Sequence, residues 1–301
     1  MQAAVLTAYG DVDTLEVRDV PEPKPGRGEL KIRVAAASIN PIDLKLRSGA
    51  LKAWMPLKLP AILGFDGSGE VVELGAEASG FQVGDRVLGL VRHSHAQYAV
   101  AAADVLAAVP PGLDLRDAGA VPLIALTGVQ LAEEAAAPKK GDVLLVTGAL
   151  GGVGRAAVYA ARKLGARVIA GVRGKQVTEA EKLGADSVVA LDDAAAVGRL
   201  PALDAIADTV GGEVLARLLP KLKAGGRVGS VVGEPAGAKE RGLTVRAIQT
   251  HPDSNRLASL AQAVAAGELV LPIASRFPLS KVRDAHRAAE HGAAGKVLLT
   301  L

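Results

Sequence analysis

The chain has 301 residues, of which 50% are hydrophobic and 22% charged, a composition typical of a globular protein with room for about two domains of ~150 residues. Its formal net charge of +3, without any basic run, predicts that nucleic acid is not a partner. Because cysteine is absent, disulfides, thiolate nucleophiles and cysteine-ligated zinc or iron–sulfur centres are excluded.

The N-terminus lacks the basic and apolar regions of a signal peptide, and no stretch reaches ~18 uninterrupted apolar residues, which together predict a cytoplasmic protein without a membrane partner.

Up to about residue 110, short alternating runs separated by glycine and proline predict a small β domain, and the clearest runs cover residues 30–38, 69–74, 84–91 and 97–100. Asp114 is expected to cap a helix, and residues 121–137 carry apolar residues at helical spacing, so a domain boundary is predicted nearby.

From residue 142 onward, apolar runs alternate with helical patterns, which predicts a doubly wound parallel sheet covered by helices on both faces. The predicted strands cover residues 143–147, 167–170, 187–190, 203–209, 226–232 and 243–248. The predicted helices between them cover residues 151–164, 176–183 and 211–222. After Thr250, the chain looks separate from this unit, with helices predicted over residues 253–266 and 280–290 and a strand over 296–301. The predicted fold class is α/β, with one domain over 118–250 and another formed by 1–117 and 251–301.

The most specific motif is a glycine-rich loop between a predicted strand and a predicted helix. Its glycines let the backbone turn sharply and bring N–H groups against a pyrophosphate at the helix N-terminus. The spacing departs from G-x-G-x-x-G, so the prediction of a dinucleotide site rests on the strand–turn–helix setting. The alternative is a tight structural turn in a nucleotide-free domain. The loop residues expected to contact the cofactor are Gly148, Ala149, Gly151, Gly152, Val153 and Gly154.

The end of the second predicted strand of this domain favours NADPH over NADH. An NAD enzyme usually places an acid there, about 20 residues after the first glycine, to bind the ribose 2′-hydroxyl. Here the stretch has no acid and instead carries Arg173 and Lys175, which can neutralise a 2′-phosphate. The alternative is that both cations only solvate a surface loop.

Short motifs in a characteristic order run from one end of the chain to the other. They cover residues 38–43, 47–49, 63–69, 84–87, 95–98, 126–128, 149–154, 208–212 and 295–297. In these motifs the chain resembles the zinc-free quinone oxidoreductase and enone reductase branch of the medium-chain dehydrogenase/reductase superfamily. The resemblance implies a GroES-like β-rich substrate domain interrupted by a Rossmann domain, and a homodimer paired through the strand over 243–248. It also implies cofactor contacts from Thr127, Val210, Gly233 and Lys296.

Zinc-dependent members of that superfamily hold a catalytic metal with two cysteines and a histidine. The corresponding positions here hold Asn40, Phe65 and, approximately, Leu123, so no metal site is predicted. His93 and His95 could suggest a metal pair, but no carboxylate or thiolate partner stands nearby in the sequence.

Without a metal, the predicted substrate is a small electron-poor molecule, a quinone or an α,β-unsaturated ketone, reduced by hydride from NADPH. Asn40 and Lys45 are the predicted donors to the developing oxyanion, and Asp43 is expected to order their turn or to bind a cofactor hydroxyl. Some quinone oxidoreductases have Tyr at the position of Lys45, which favours enones here. Asn40 could instead be only a helix N-cap, and Lys45 only a solvated helix residue.

Two other functions remain as alternatives. One is a protein that binds NADPH with little turnover, as the lens crystallins of this family do. The other, a zinc alcohol dehydrogenase, is disfavoured by the absence of cysteine.

Overall fold

The computed structural model describes residues 1–234 and 242–301. The chain divides into a terminal unit, Met1–Leu123 with Pro252–Leu301, and a central unit, Ile124–His251. The boundaries predicted from the sequence lie at 117/118 and 250/251. Within the described ranges, no helix is both long enough and apolar enough to cross a membrane.

The terminal unit begins with a run of short strands. They are β1 (Gln2–Leu6), β2 (Leu15–Asp19), β3 (Glu29–Ile39), β4 (Ala61–Ile62), β5 (Gly67–Leu74), β6 (Arg86–Gly89), β7 (Tyr98–Ala102) and β8 (Leu106–Ala108). The helices among and after them are α1 (Pro41–Ser48), α2 (Leu115–Ala118) and two 3-10 turns, Val12–Thr14 and Ala103–Val105. As predicted, Asp114 caps α2, because its carboxylate accepts from the N–H groups of Arg116 and Asp117.

The central unit alternates strands and helices. Its strands are β9 (Val143–Thr147), β10 (Arg167–Val172), β11 (Ser187–Ala190), β12 (Leu203–Asp208), β13 (Leu222–Ser230) and β14 (Thr244–Ala247). Its helices are α3 (Pro122–Gln130, which begins in the terminal unit), the π-helix Leu131–Ala136, α4 (Gly152–Lys163), α5 (Val177–Ala180), α6 (Ala194–Gly198), α7 (Gly212–Leu218) and the 3-10 turns Gly174–Gln176, Glu181–Leu183 and Leu219–Lys221.

The chain then returns to the terminal unit and completes its main sheet. This last part contains α8 (Ser254–Ala265), β15 (Ile273–Pro278), the 3-10 turn Leu279–Lys281, α9 (Val282–Glu290) and β16 (Lys296–Thr300). A seven-stranded sheet has the order β15-β16-β3-β5-β6-β8, with β7 also paired to β3, and a three-stranded sheet has the order β2-β1-β4. Leu30, Ile32 and Val34 alternate towards the core along β3, as expected of a sheet with one buried face.

All six strands of the central unit pair in parallel, in the order β11-β10-β9-β12-β13-β14. In sequence terms this is 3-2-1-4-5-6, the order of a doubly wound dinucleotide-binding sheet. The buried core contains Leu145, Ile169, Ile206 and Val228, one from each of four neighbouring strands. The predictions of a parallel α/β sheet and of a β-rich region are therefore confirmed.

Several local predictions differ from the structure. The helix predicted over 176–183 is only the four-residue α5 between two 3-10 turns, and Gly184 in the left-handed region (φ 70°) ends the second of these turns. The segment between the helices predicted over 253–266 and 280–290, for which no strand is predicted, contains β15, whose partner β16 follows only after α9. That pairing depends on tertiary contact and leaves no local pattern.

Candidate functional site

The carboxyl ends of β9 and β12 meet where the strand order of the central sheet reverses. Ligands of open parallel sheets bind at such a switch point. The glycine-rich loop follows β9 directly, and Thr209 and Val210 follow β12. Loops predicted from distant parts of the sequence to bind a nucleotide thus share one edge of one sheet.

Asp208 holds the ends of three strands together at this edge. Its buried carboxylate accepts from the Thr147 hydroxyl of β9 at 2.7 Å and from the Ser230 hydroxyl of β13 at 3.0 Å. It also accepts from the N–H groups of Val210 at 3.1 Å and Gly211 at 3.0 Å, which shapes the loop after β12. Because its contacts are this numerous, Asp208 fixes the loops and is not available to a ligand.

The loop after β9 is glycine-rich because side chains at some of its positions would collide with the loop backbone or with the loop after β12. Gly148 has a positive φ of 60°, and a Cβ there would press against the Thr209 hydroxyl. A Cβ at Gly154 would overlap the carbonyl oxygen of Gly148. At Gly151, by contrast, a Cβ would meet only that same oxygen, at 3.2 Å, so the loop surface is open there.

The N-terminus of α4 supplies the donors of this loop. The first intrahelical bond of the helix runs from Arg155 N to Gly151 O at 2.8 Å, so the N–H groups of Gly152, Val153 and Gly154 precede it and have no intrahelical partner. Ala149 differs from the prediction, because it is fully buried and its N–H donates to Gly171 O at 3.1 Å. Ala149 therefore supports the loop instead of offering a donor. The remaining geometry fits a pyrophosphate.

Arg173 and Lys175 lie at the carboxyl end of β10, on an exposed turn. In the described part of the chain, neither side chain makes an ion pair. The Arg173 N–H bonds to Gln176 Oε1 at 3.3 Å, and the Gly174 N–H bonds to a carboxylate oxygen of Asp192 at 2.7 Å. The two cations are thus carried on an ordered turn with their charges unpaired.

The other predicted cofactor residues of the central unit lie as follows. Val210 is 47% exposed beside the glycine loop, where a Cβ at Gly148 would lie 3.1 Å from its methyl group. Gly233 follows β13 with φ 113° and open space around it. The Thr127 hydroxyl lies 2.5 Å from the Thr250 hydroxyl.

Two of the three predicted catalytic residues, Asn40 and Asp43, lie in a buried polar network of the terminal unit. Asn40 is 1% exposed at the start of α1. Its Nδ2 donates to Asp66 Oδ1 at 2.9 Å and to Ser38 Oγ at 3.1 Å, and its Oδ1 accepts from Lys296 Nζ at 2.6 Å. The Ser38 hydroxyl also donates to Asp66 Oδ1, at 2.6 Å. Both ends of the Asn40 amide are bonded within the protein, so Asn40 positions its neighbours. This role differs from the prediction that Asn40 donates to the oxyanion.

Lys296 was predicted to contact the cofactor, but its ammonium is buried in this network. Besides Asn40 it donates to Ile39 O at 2.8 Å, so it connects the start of β16 to the end of β3. Burial lowers the pKa of Lys296, while the nearby carboxylates of Asp66 and Asp43 oppose this effect. The contacts place Lys296 with the predicted catalytic residues.

Asp43 orders the first turn of α1, as predicted. Its carboxylate accepts from Asn40 N at 2.8 Å and from Gly64 N at 3.0 Å. Complete burial raises the pKa of Asp43, and the nearby His95 ring partly counteracts this shift. Because both carboxylate oxygens face backbone donors, the side chain is a structural acceptor at the N-terminus of α1.

Lys45 is the one predicted catalytic residue whose side chain is exposed. It lies on α1, directly after the turn that Asn40 and Asp43 hold. Among the described residues, its ammonium group makes no ion pair and no hydrogen bond. The structure therefore leaves Lys45 available to donate to a ligand.

The positions that bind zinc in metal-dependent relatives are used differently here. The Asn40 amide is bonded at both ends, and the Leu123 N–H donates to Asp66 Oδ2 at 3.0 Å. Phe65 offers only an aromatic ring, against which the Arg92 guanidinium packs at 5.7 Å from the centroid. Over residues 1–234 and 242–301, no three His, Cys, Asp or Glu side chains group as metal ligands. This donor set does not fit zinc.

Sequence reasoning did not identify the anchoring carboxylates, Asp66 and Asp208, as functional. Both stand at or near strand ends, and a single acid there gives no sign of which distant donors it will meet. Asp208 had one usable signal, since an acid closing an apolar run at the carboxyl end of a parallel strand is costly unless it is bonded.

Two family models match the chain. The model described as "Alcohol dehydrogenase GroES-like domain" matches residues 26–111, and the one described as "Zinc-binding dehydrogenase" matches residues 183–299. A chloroplast envelope quinone oxidoreductase homolog from Arabidopsis thaliana is 30% identical over 99% of this chain and 98% of that protein. A quinone oxidoreductase from Homo sapiens is 30% identical over 100% of this chain and 98% of that protein.

Solved structures of similar proteins include a quinone oxidoreductase and a complex with NADPH. The quinone oxidoreductase from Coxiella burnetii superposes with a TM-score of 0.91 at 29% identity, covering 100% of this chain and 99% of that one. A mycobacterial protein complexed with NADPH superposes with a TM-score of 0.86 at 27% identity and covers 100% of both chains.

Proposed function

Because the chain belongs to the medium-chain dehydrogenase/reductase family, we propose that it is an NADPH-dependent oxidoreductase that reduces quinones or α,β-unsaturated carbonyl compounds. The observation that carries this proposal is the unpaired Arg173–Lys175 turn on the same sheet edge as the glycine loop. Quinone oxidoreductases among the similar proteins, and the neighbour solved with NADPH, support both the reaction class and the cofactor.

In this proposal the central unit binds the dinucleotide with its own backbone and cations. The N–H groups at the start of α4 hold the pyrophosphate, whose charge is stabilised by the positive end of the helix. Arg173 and Lys175 neutralise the 2′-phosphate, and Val210 offers an apolar contact. When bound, reduced NADPH supplies the hydride.

In the terminal unit, we propose that Lys45 is the residue that donates a hydrogen bond to the developing oxyanion. An exposed ammonium on a helix whose first turn is held by buried hydrogen bonds can stabilise negative charge without first breaking a bond of its own. Asn40, Asp43 and Lys296 hold that turn through buried hydrogen bonds. Their proposed contribution to the reaction is orientation.

Zinc independence is part of the proposal, because the donor set around Asn40 does not fit the metal. Purified protein is expected to contain no stoichiometric zinc and to keep its activity after chelation. Zinc near one equivalent per chain, with activity removed by chelation and restored by the metal, would overturn this part.

The proposed assembly is a homodimer through the edge strand β14, which pairs with β13 alone among the described strands. An unpaired parallel edge would otherwise be open to aggregation. Sedimentation at micromolar concentration should give a dimer, and a monomer would contradict the proposal. The proposed location remains the cytoplasm.

The test of the function is turnover of a small panel of quinones and enones with NADPH and NADH side by side. The proposal expects substrate-dependent NADPH oxidation, with enones favoured because Lys45 stands where some quinone oxidoreductases have Tyr. Tight NADPH binding without turnover of either class would favour the crystallin-like alternative.

A further inference from the structure

An acid lies against the cationic turn at the end of β10, although the sequence of that turn contains none. Val172 of β10 is in register with Ala190 of β11, and the chain continues to Asp192 two residues further on. The ends of the two strands therefore bring Asp192 next to Gly174. One carboxylate oxygen of Asp192 accepts from Gly174 N at 2.7 Å.

The carboxylate faces the turn with both oxygens. A Cβ built on Gly174 would lie 3.4 Å from Oδ1 and 3.8 Å from Oδ2 of Asp192. In the described part of the chain, Oδ1 accepts one hydrogen bond and Oδ2 accepts none. The Asp192 side chain is exposed. A negative charge thus stands beside the backbone that carries Arg173 and Lys175, without an ion-pair partner to neutralise it.

This arrangement affects the choice of cofactor. A carboxylate beside the turn that carries two cations lowers the positive potential that a 2′-phosphate meets there, whereas the 2′-hydroxyl of NADH carries no charge for it to repel. The hydrogen bond to Gly174 N, in contrast, orders the turn for either nucleotide. One side chain therefore combines a structural role with an electrostatic one, and the two can be separated by experiment.

We propose that Asp192 is a specificity-determining residue that limits the preference for NADPH over NADH, while its hydrogen bond to Gly174 shapes the turn that presents Arg173 and Lys175. The inference rests on the proposed function, since it assumes that a nucleotide binds at this edge. It goes beyond that function by assigning the balance between the two cofactors to an acid just after the neighbouring strand β11.

The test is equilibrium binding of NADPH and NADH to Asp192→Asn. Asparagine keeps an oxygen that can accept from Gly174 N and removes the charge. The ratio of NADPH to NADH affinity should rise about three- to tenfold, the scale of one nearby surface charge, and the rise should come mainly from tighter NADPH binding. The gain should shrink as salt is added. Asp192→Ala should bind NADPH less tightly than Asp192→Asn, because the Gly174 N–H loses its acceptor.

Asp193→Asn is the matched control. Asp193 is the adjacent exposed acid, and its carboxylate caps α6 by accepting from the N–H groups of Ala195 and Ala196. Asparagine also caps helices well, and the Asp193 carboxylate bonds to the start of α6 and not to the cationic turn, so this variant should leave the affinity ratio within about twofold of wild type.

A ratio for Asp192→Asn within twofold of wild type, or equal to that of Asp193→Asn, would overturn the inference. If wild type still prefers NADPH in that case, the proposed function survives and only the role of Asp192 is lost. If wild type binds neither nucleotide, the proposed function fails and the inference fails with it.

Discussion

The cationic turn in the central unit and the buried network in the terminal unit use polar side chains in opposite ways. Arg173 and Lys175 are exposed and unpaired in the described structure, so their charges are available to a ligand. Asn40, Asp66 and Lys296 are buried and bonded to one another or to the backbone. Substitutions in the turn should change binding while stability stays constant, and substitutions in the network should change stability first.

The largest expected effect is loss of the central acceptor of the network. Asp66→Ala removes an acceptor shared by the Ser38 hydroxyl, the Asn40 amide and the Leu123 N–H, and so takes the central hydrogen-bonding group out of the network. The free energy of unfolding should fall by ~3–5 kcal/mol, measured by urea denaturation. Asp19→Ala, at an exposed acid of β2, is the control and should change it by less than ~0.5 kcal/mol. A small change at Asp66 would show that the network does not hold the unit together.

The second prediction concerns Lys45, the exposed residue on the turn held by the network. With an enone substrate, Lys45→Ala should lower kcat by ~10–1000-fold, the range for losing one preorganised donor, while the Kd for NADPH stays within a few-fold. Lys24→Ala, at an exposed lysine before β3, should leave both constants unchanged. Full turnover by a folded Lys45→Ala protein would contradict the role of Lys45 as donor. It would favour quinone reduction, or NADPH binding with little turnover, over enone reduction.

The third prediction tests the cationic turn. Arg173→Ala should weaken NADPH binding by ~1.5–3 kcal/mol, the range for a charge-assisted hydrogen bond, and leave NADH binding and the free energy of unfolding nearly unchanged. Calorimetric titration measures both nucleotides, and Lys182→Ala is a matched exposed cation in the same unit. Equal losses of affinity for NADPH and NADH would mean that Arg173 does not bind the 2′-phosphate.

The smallest expected effect is on the pH dependence of stability and comes from His286, which is buried on α9. Among the described residues, neither of its ring nitrogens has a hydrogen-bond partner. Burial, reinforced by His95 and Arg47, lowers the pKa of His286 to about 2. The unfolded chain takes up a proton below about pH 6.5 and the folded chain does not, so this contribution to stability is complete above pH 6.5 and is lost as the pH falls. The expected slope is ~1.4 kcal/mol per pH unit, measured by denaturation between pH 6 and 4.

The controls for this slope are His286→Leu and His291→Leu. The first should flatten the acid side of the stability profile, because leucine cannot titrate and packs with the surrounding apolar residues. The second should keep the wild-type slope, since His291 is exposed. An unchanged slope in His286→Leu would assign acid sensitivity to other groups.

The two regions also differ in how far the sequence predicts them. The glycine loop and the Arg173 turn depend on neighbours in the chain, so the strand–loop–helix pattern predicts their place on the sheet edge. The network joins Asn40 to Lys296 across 256 residues, and no local pattern shows that these two side chains meet. For the same reason, residue types alone predicted Asn40 as a donor to substrate, whereas its amide is bonded to Asp66 and Lys296. Asp192 illustrates the point again, because the strand register, and not the spacing, brings it to the turn.

The most direct test of the account is a side-by-side titration of wild-type protein with NADPH and NADH at low and at high salt. An unpaired Arg173 and Lys175, opposed by Asp192, should give NADPH at least ~5-fold tighter binding at low salt and a smaller advantage at high salt. Equal affinities at low salt, or tighter binding of NADH, would contradict the claim that this turn selects the 2′-phosphate.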